Sequence, residues 1–352
     1  MTQAPTTARA SSDWVGLLGG NARHGGQPPA RRAAPDDVVW KVTLPDAVRS
    51  SPVLVDDVLL VTSRDGRLRA LDAGTGRIRW TVDTRAPLHS TPAIVGDLVV
   101  FGGDDGQVRA VERTAGRPVW TAQLEGPIWA SPVARGDVIY VGSSGGQVSA
   151  LERATGRERW TRRVDAQVHA SGFVEGDLLY LGASDGTVHA IDVADGTDRW
   201  THRAGDTISA SAAVAAGVVV VGSEDHHVYG LDAATGQVRW AVETQLGVSA
   251  AAAIHGDVAY VGSKDGHLYA LNVADGTERW RAPSVRQITA APVVGDGIVC
   301  QQGFWGSTIA YDAGTGEVLW QANLGGSLQS TPVLTVAAVY LATYQGLVYA
   351  LR

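Results

Sequence analysis

Arg49, His89, Trp129 and His169 stand 40 residues apart, and each residue type brings a different interaction to what is formally one position. A guanidinium grips a carboxylate or phosphate through paired donors. An imidazole moves protons near neutral pH, and an indole stacks on a planar group. The same count continues through Ser209, Ser249, Thr289 and Gln329. If these positions rim one channel, large cationic, titratable or aromatic groups face room left by small hydroxyls, as a ligand pocket requires. A catalytic version of this site takes His89 or His169 as general base and Arg49 as electrostatic clamp. The competing reading is a wet channel lined by unrelated polar residues.

Three further stretches break the pattern of their siblings. Most repeats carry an Asp-Gly turn, as in Asp65-Gly66, Asp185-Gly186 and Asp265-Gly266, but one reads Glu224-Asp225-His226-His227. Losing the glycine of a tight turn predicts a locally different loop. Its Glu224, Asp225 and His226 are candidate ligand contacts. Adjacent histidines seldom share one ion, so no metal site is assigned. Elsewhere the equivalent loop contains Phe304-Trp305, and in the last repeat Tyr344-Gln345. Adjacent aromatics on a polar loop point to a lid over the funnel, a ligand contact, or an anchor for a partner or for the chain's own N-terminal arm.

The elements that must position these residues are set by a 40-residue period. Tryptophan recurs at Trp40, Trp80, Trp120, Trp160, Trp200, Trp240, Trp280 and Trp320, and a fixed period of this length marks a solenoid or propeller. Each unit reads as four short strands: Ser51–Val55, Val58–Thr62, Leu68–Leu71 and Arg77–Thr81 in the first. Apolar alternation and Gly/Asp turns separate them, as all-β chains require. The last unit ends at Arg352 without a fourth strand, and Val38-Val39-Trp40 is a fourth strand without a unit. Pairing the two closes a ring of eight blades and removes exposed edges. Strand alternation puts the blade-linking loops and the second-to-third strand loops on one face. The Asp72-to-Gly76 type of loop falls on the other face, where only structure is expected.

The motif Ala70-x-Asp72-x-x-Thr75-Gly76-x-x-x-Trp80 resembles the tryptophan-docking motif of the pyrroloquinoline quinone (PQQ) repeat propellers, with softened copies at Ala110–Trp120 and Ala190–Trp200. Asp13-Trp14 and Gly19-Gly20-Asn21 are similar to the entry segment of such proteins. The resemblance implies an eight-bladed propeller over residues 38–352 behind an arm at 1–37, partly disordered, with Trp14 plugging an apolar patch. Quinoprotein dehydrogenases of that family commonly hold their cofactor against a vicinal disulfide, beside calcium and a catalytic aspartate, within long insertions. This chain has one cysteine, Cys300, and no such insertions. The resemblance therefore implies a cofactor-free member, similar to the propeller of the barrel-assembly lipoprotein.

Composition narrows the partners. Net charge is −7, with both signs mixed through every repeat, so no basic stripe tracks a nucleic-acid backbone. No apolar run approaches the roughly 18 residues of a membrane span, and the first residues show neither the apolar stretch nor the lipid-accepting cysteine of a leader, so none is expected. The expectation is a cytoplasmic protein that binds a small molecule or peptide in its top funnel through Arg49, His89, Trp129, His169, Phe304, Trp305 and Tyr344. The alternatives are a non-redox acid–base enzyme using the same funnel, and a scaffold docking a protein on Phe304 and Trp305.

Overall fold

A computed structural model describes residues 37–352 apart from 285, 304–305, 324–325, 328–329 and 336–337. The N-terminal arm with Trp14, and the positions Phe304, Trp305 and Gln329, lie outside the described residues. The described chain forms eight four-stranded antiparallel sheets. In the first blade the strands are β2 (Val53–Val55), β3 (Val58–Ser63), β4 (Arg67–Asp72) and β5 (Ile78–Asp83), hydrogen-bonded in that order; β1 (Val38–Thr43) precedes them. The eighth blade is completed by β1, which pairs with the C-terminal strand Leu347–Leu351, Trp40 opposite Ala350. Both ends of the described chain are thereby built into one sheet, and the ring closes.

The core lies between blades. Leu60, Leu68 and Ala70 of blade one pack against Leu88, Val99 and Phe101 of blade two, and comparable apolar layers follow around the ring. Strands buried on both faces explain the near-continuous Val/Leu/Ala runs of the second strands.

The tryptophans clip each blade to the next. Trp40 Nε1 donates to Ala73 O at 2.9 Å, and the same bond to the carbonyl 33 residues on recurs at Trp120, Trp160, Trp200, Trp240 and Trp280. The ring lies flat on the glycine of the docking turn: a methyl at Gly76, where φ is +71°, would stand 2.8 Å from Trp40 Cδ2. Only glycine meets both demands, a left-handed φ and no side chain under the indole. Asp72 shapes that turn by accepting from Thr75 N and Oγ1 at 2.9 and 2.8 Å. Hydrogen bonds from Arg79 and Thr75 hold its carboxyl down at about 2.

On the opposite face the blade-linking loops and the second-to-third strand turns are stitched together. Thr84 N donates to Gly66 O in its own blade and Asp104 N to Pro87 O from the next one, at 2.8 and 3.0 Å. Each linker therefore bridges two turns, and the residue that follows it is delivered to the channel rim.

Candidate functional site

A cavity of about 190 Å³ sits in the channel mouth, lined by Arg49, His89, Trp129, Ser209, Ser249 and Thr289 together with the first residues of the inner segments. The rim series therefore does converge on one space. His169 joins it by stacking: its ring lies 4.6 Å from that of Trp129, centroid to centroid, and His89 lies 5.6 Å from Trp129 on the other side.

Trp129 is 40% exposed yet fixed. Its Nε1 donates to Asp104 Oδ1 at 2.9 Å, and Asp104 Oδ2 stands 3.3 Å from His89 Nε2. One carboxylate thus orients the indole and the imidazole together. Burial pushes the His89 imidazole below its usual range, while the Asp104 carboxylate pulls the other way and Arg49 and Arg64 add to the lowering. Burial alone lowers His169, whose Nε2 has no hydrogen-bond partner among the described residues. Burial thus favours the neutral imidazole at both positions, the form that keeps one ring nitrogen as an acceptor.

Beside this stack, Arg49 lies over the Tyr344 ring, 5.2 Å from guanidinium carbon to centroid, and donates through Nη2 to the Tyr344 hydroxyl at 3.3 Å. The hydrogen bond and charge of Arg49, with those of Arg64, hold the Tyr344 phenol below its ordinary range. Among the described residues neither arginine forms an ion pair, and Arg64 Nε is buried without a partner. Two guanidiniums therefore converge on a neutral phenol, with capacity left for an anion.

The blade-five loop is organised differently from expectation. Its turn is unchanged: His226 O accepts from Thr244 N and Oγ1 at 2.7 and 2.9 Å, as Gly66 O accepts from Thr84 N and Oγ1. His226 itself adopts the glycine conformation, φ +74°, with its side chain exposed. The missing glycine is absorbed as strain at one residue instead of a new turn. Asp225 faces inward, accepting from Tyr229 OH at 2.8 Å and Gly205 N at 2.7 Å. Burial raises its carboxyl, but these hydrogen bonds outweigh that and hold it low. Glu224 pairs with Lys264 Nζ at 2.6 Å. Of this trio only Glu224 belongs to the mouth's second tier of side chains.

Sequence reading singled out Glu224, Phe304 and Tyr344 of that second tier but missed Arg64, Asp104 and Lys264. The position 15 residues after each rim residue reads Arg64, Asp104, Ser144, Ser184, Glu224, Lys264, Phe304 and Tyr344, and it supplies Asp104, Arg64 and Lys264. Its signal was present, since Arg, Asp, Glu and Lys at equivalent places are departures of the same kind as those at the rim. Below the rim runs a belt of hydroxyls at Ser51, Thr91, Ser131, Ser171, Ser211 and Thr331, each but Ser211 passing a backbone N–H to the next hydroxyl, as from Thr91 N to Ser131 Oγ at 3.0 Å. Cys300 is fully buried, and burial raises its thiol.

The family model that matches this chain is described as outer membrane protein assembly factor BamB, over residues 29–128, 104–241 and 204–352. No curated protein matches the sequence. Among solved structures, BamB from Moraxella catarrhalis is similar at 19% identity and a TM-score of 0.79, covering 90% of this chain and 99% of that one. The computationally designed Ika8 protein is similar at 18% identity and a TM-score of 0.79, covering 88% and 97%. The quinohemoprotein alcohol dehydrogenase ADHIIG from Pseudomonas putida HK5 is similar at 15% identity and a TM-score of 0.77, covering 90% and 76%. Identities this low establish a shared fold.

Proposed function

This chain belongs to the family of the outer membrane protein assembly factor BamB, and we propose that it is a binding propeller that takes a small molecule with a planar body and an anionic group in its channel mouth. The observation that carries this is Trp129, held by Asp104 with its ring exposed, between two imidazoles and beside the guanidiniums of Arg49 and Arg64. An indole fixed at a cavity edge has already lost the rotamer freedom that binding would otherwise remove. The unneutralised arginines supply the charge partner. At about 190 Å³ the cavity is smaller than the roughly 300–1,000 Å³ of drug-sized sites, so it receives one part of the ligand and leaves the rest over the rim.

The test is native mass spectrometry of protein purified from its own host, beside the Arg49→Ala/Trp129→Ala double variant. A co-purifying small molecule lost in the variant supports the reading, and its mass begins to name the ligand. Bare masses for both, with a protein partner captured instead, would turn the assignment toward a scaffold.

A second reading rests on the His89–Asp104 contact. An imidazole oriented by a carboxylate and reaching a cavity is a general-base arrangement, with Asp104 in the positioning role. His89→Gln then abolishes turnover while sparing affinity for the ligand. Under the binding reading the same substitution changes affinity only modestly, and no turnover accompanies it.

A further inference from the structure

We infer that the ligand carries a neutral polyhydroxyl group, of the glycosyl or polyol class, that sits against the side of the channel facing Arg49, His89 and Trp129; this rests on the reading of the mouth as a small-molecule site. In a closed ring of eight equal blades, rim residues four repeats apart face one another across the axis. Arg49 therefore looks toward Ser209, His89 toward Ser249 and Trp129 toward Thr289. All six line the one cavity.

The far arc differs from the near one in three respects that together select this class. First, Ser209 Oγ, Ser249 Oγ and Thr289 Oγ1 are each buried and have no hydrogen-bond partner among the described residues. The belt hydroxyls around the rest of the ring are the contrast, because those accept from the neighbouring blade's N–H. A buried hydroxyl left unmatched is costly, and three in succession on consecutive blades form a donor–acceptor arc directed at whatever enters. Second, the belt is interrupted beneath that arc. Ala251 and Ala291 replace the hydroxyl residues and pack on each other, buried, at the cavity floor. Hydroxyl groups above a methyl-lined step match a sugar ring, which presents hydroxyls at its edge and C–H groups on its face. Third, the arc is electrically neutral. The nearest charges of the second tier, Glu224 and Lys264, neutralise each other, so nothing there favours an ionic group over an uncharged hydroxyl. Near arc and far arc thus recognise opposite ends of one molecule: an acidic planar end on Arg49 and Trp129, a hydroxylated end on Ser209, Ser249 and Thr289.

Calorimetric titration of the full chain with two probes separates the claims. Salicylate offers only the planar acid, and salicylate 2-O-β-D-glucoside adds the hydroxylated ring. The expected result is that the glucoside binds roughly tenfold tighter, the equivalent of one or two net hydrogen bonds. The Ser209→Ala/Ser249→Ala/Thr289→Val variant should erase that advantage while leaving salicylate affinity unchanged. Equal affinities for the two probes, with salicylate binding lost in Arg49→Ala/Trp129→Ala, would overturn the inference and leave the small-molecule reading standing. Binding of neither probe would overturn both. Because the comparison of probes is made on the native protein, the outcome does not depend on the triple variant folding.

Discussion

Two glycine-to-alanine changes within blade four isolate the energy of tryptophan docking. Gly176 and Gly196 both adopt left-handed backbone, φ +56° and +79°, so alanine at either costs about 1–2 kcal/mol for the backbone alone. Their surroundings differ. A methyl at Gly176 meets nothing within 4 Å, whereas at Gly196 it would stand 2.6 Å from Trp160 Cε3 and 2.9 Å from Cδ2. That is well inside the roughly 3.5–4.0 Å at which carbons pack. The indole must tilt away, a repacking of about 1–3 kcal/mol, and its Nε1 bond to Val193 O at 2.9 Å is loosened at about 1 kcal/mol more. The difference between the two variants is therefore about 2–4 kcal/mol. With an unfolding entropy of about 2.1 cal/mol/K per residue, a chain of 352 residues shifts its Tm by about 1.4 °C per kcal/mol. Calorimetry should find Gly196→Ala melting about 3–6 °C below Gly176→Ala. Equal losses would refute the reasoning, because they would mean that backbone strain alone sets these glycines and the indole contact contributes nothing.

Other outcomes follow from the same structure. His226→Gly relieves a left-handed histidine and should raise stability by about 1 kcal/mol, read as a higher urea midpoint at unchanged m-value. Thr308 is 1% exposed with its hydroxyl unpartnered among the described residues, where the other seven blades carry Val or Leu; Thr308→Val should stabilise by about 1–2 kcal/mol, and a loss of stability would show that the hydroxyl is satisfied. Burial depresses His89, His169, His189 and His202, so the unfolded chain takes up protons at about pH 6.5 that the folded one refuses. Stability is full above that pH and declines as pH falls below it, before carboxylates titrate. A Tm that stays flat from pH 7 to 5 would contradict this.

The ring was legible because its determinants repeat in phase. Trp40 and its equivalents, the docking glycines and the incomplete last unit specify blade number and closure without any long-range contact being known. The rim residues were legible for the same reason, since Arg49, His89, Trp129 and His169 are departures at one counted position. What stayed hidden depends on contacts between counts. Asp104 reaches Trp129 across 25 residues and a blade boundary, and Arg64 approaches Tyr344 from the far end of the chain. Neither pairing has a signature in a single repeat. His226 misled for a different reason: residue type shows the cost of a left-handed site but not whether a rigid frame of bonds, here from Thr244, will enforce it.

A symmetric ring also separates structural from chemical residues more cleanly than an irregular fold does. The blade-to-blade clips are made on the docking-turn face, where six tryptophans donate to the carbonyl 33 residues ahead. The mouth side chains make contacts of another kind. Trp129 bonds to Asp104, Arg49 to Tyr344 and Glu224 to Lys264, contacts that organise the rim and that most other repeats do without. The blades presenting Ser209 and Ser249 carry no arginine, indole or imidazole at the rim, yet keep the same strands and the same register. Closing a blade therefore does not demand an arginine, an indole or an imidazole at the rim. Their concentration on four consecutive blades, facing hydroxyls on the opposite three, is surplus to what holds the propeller together, and an anisotropic pocket is what that surplus builds.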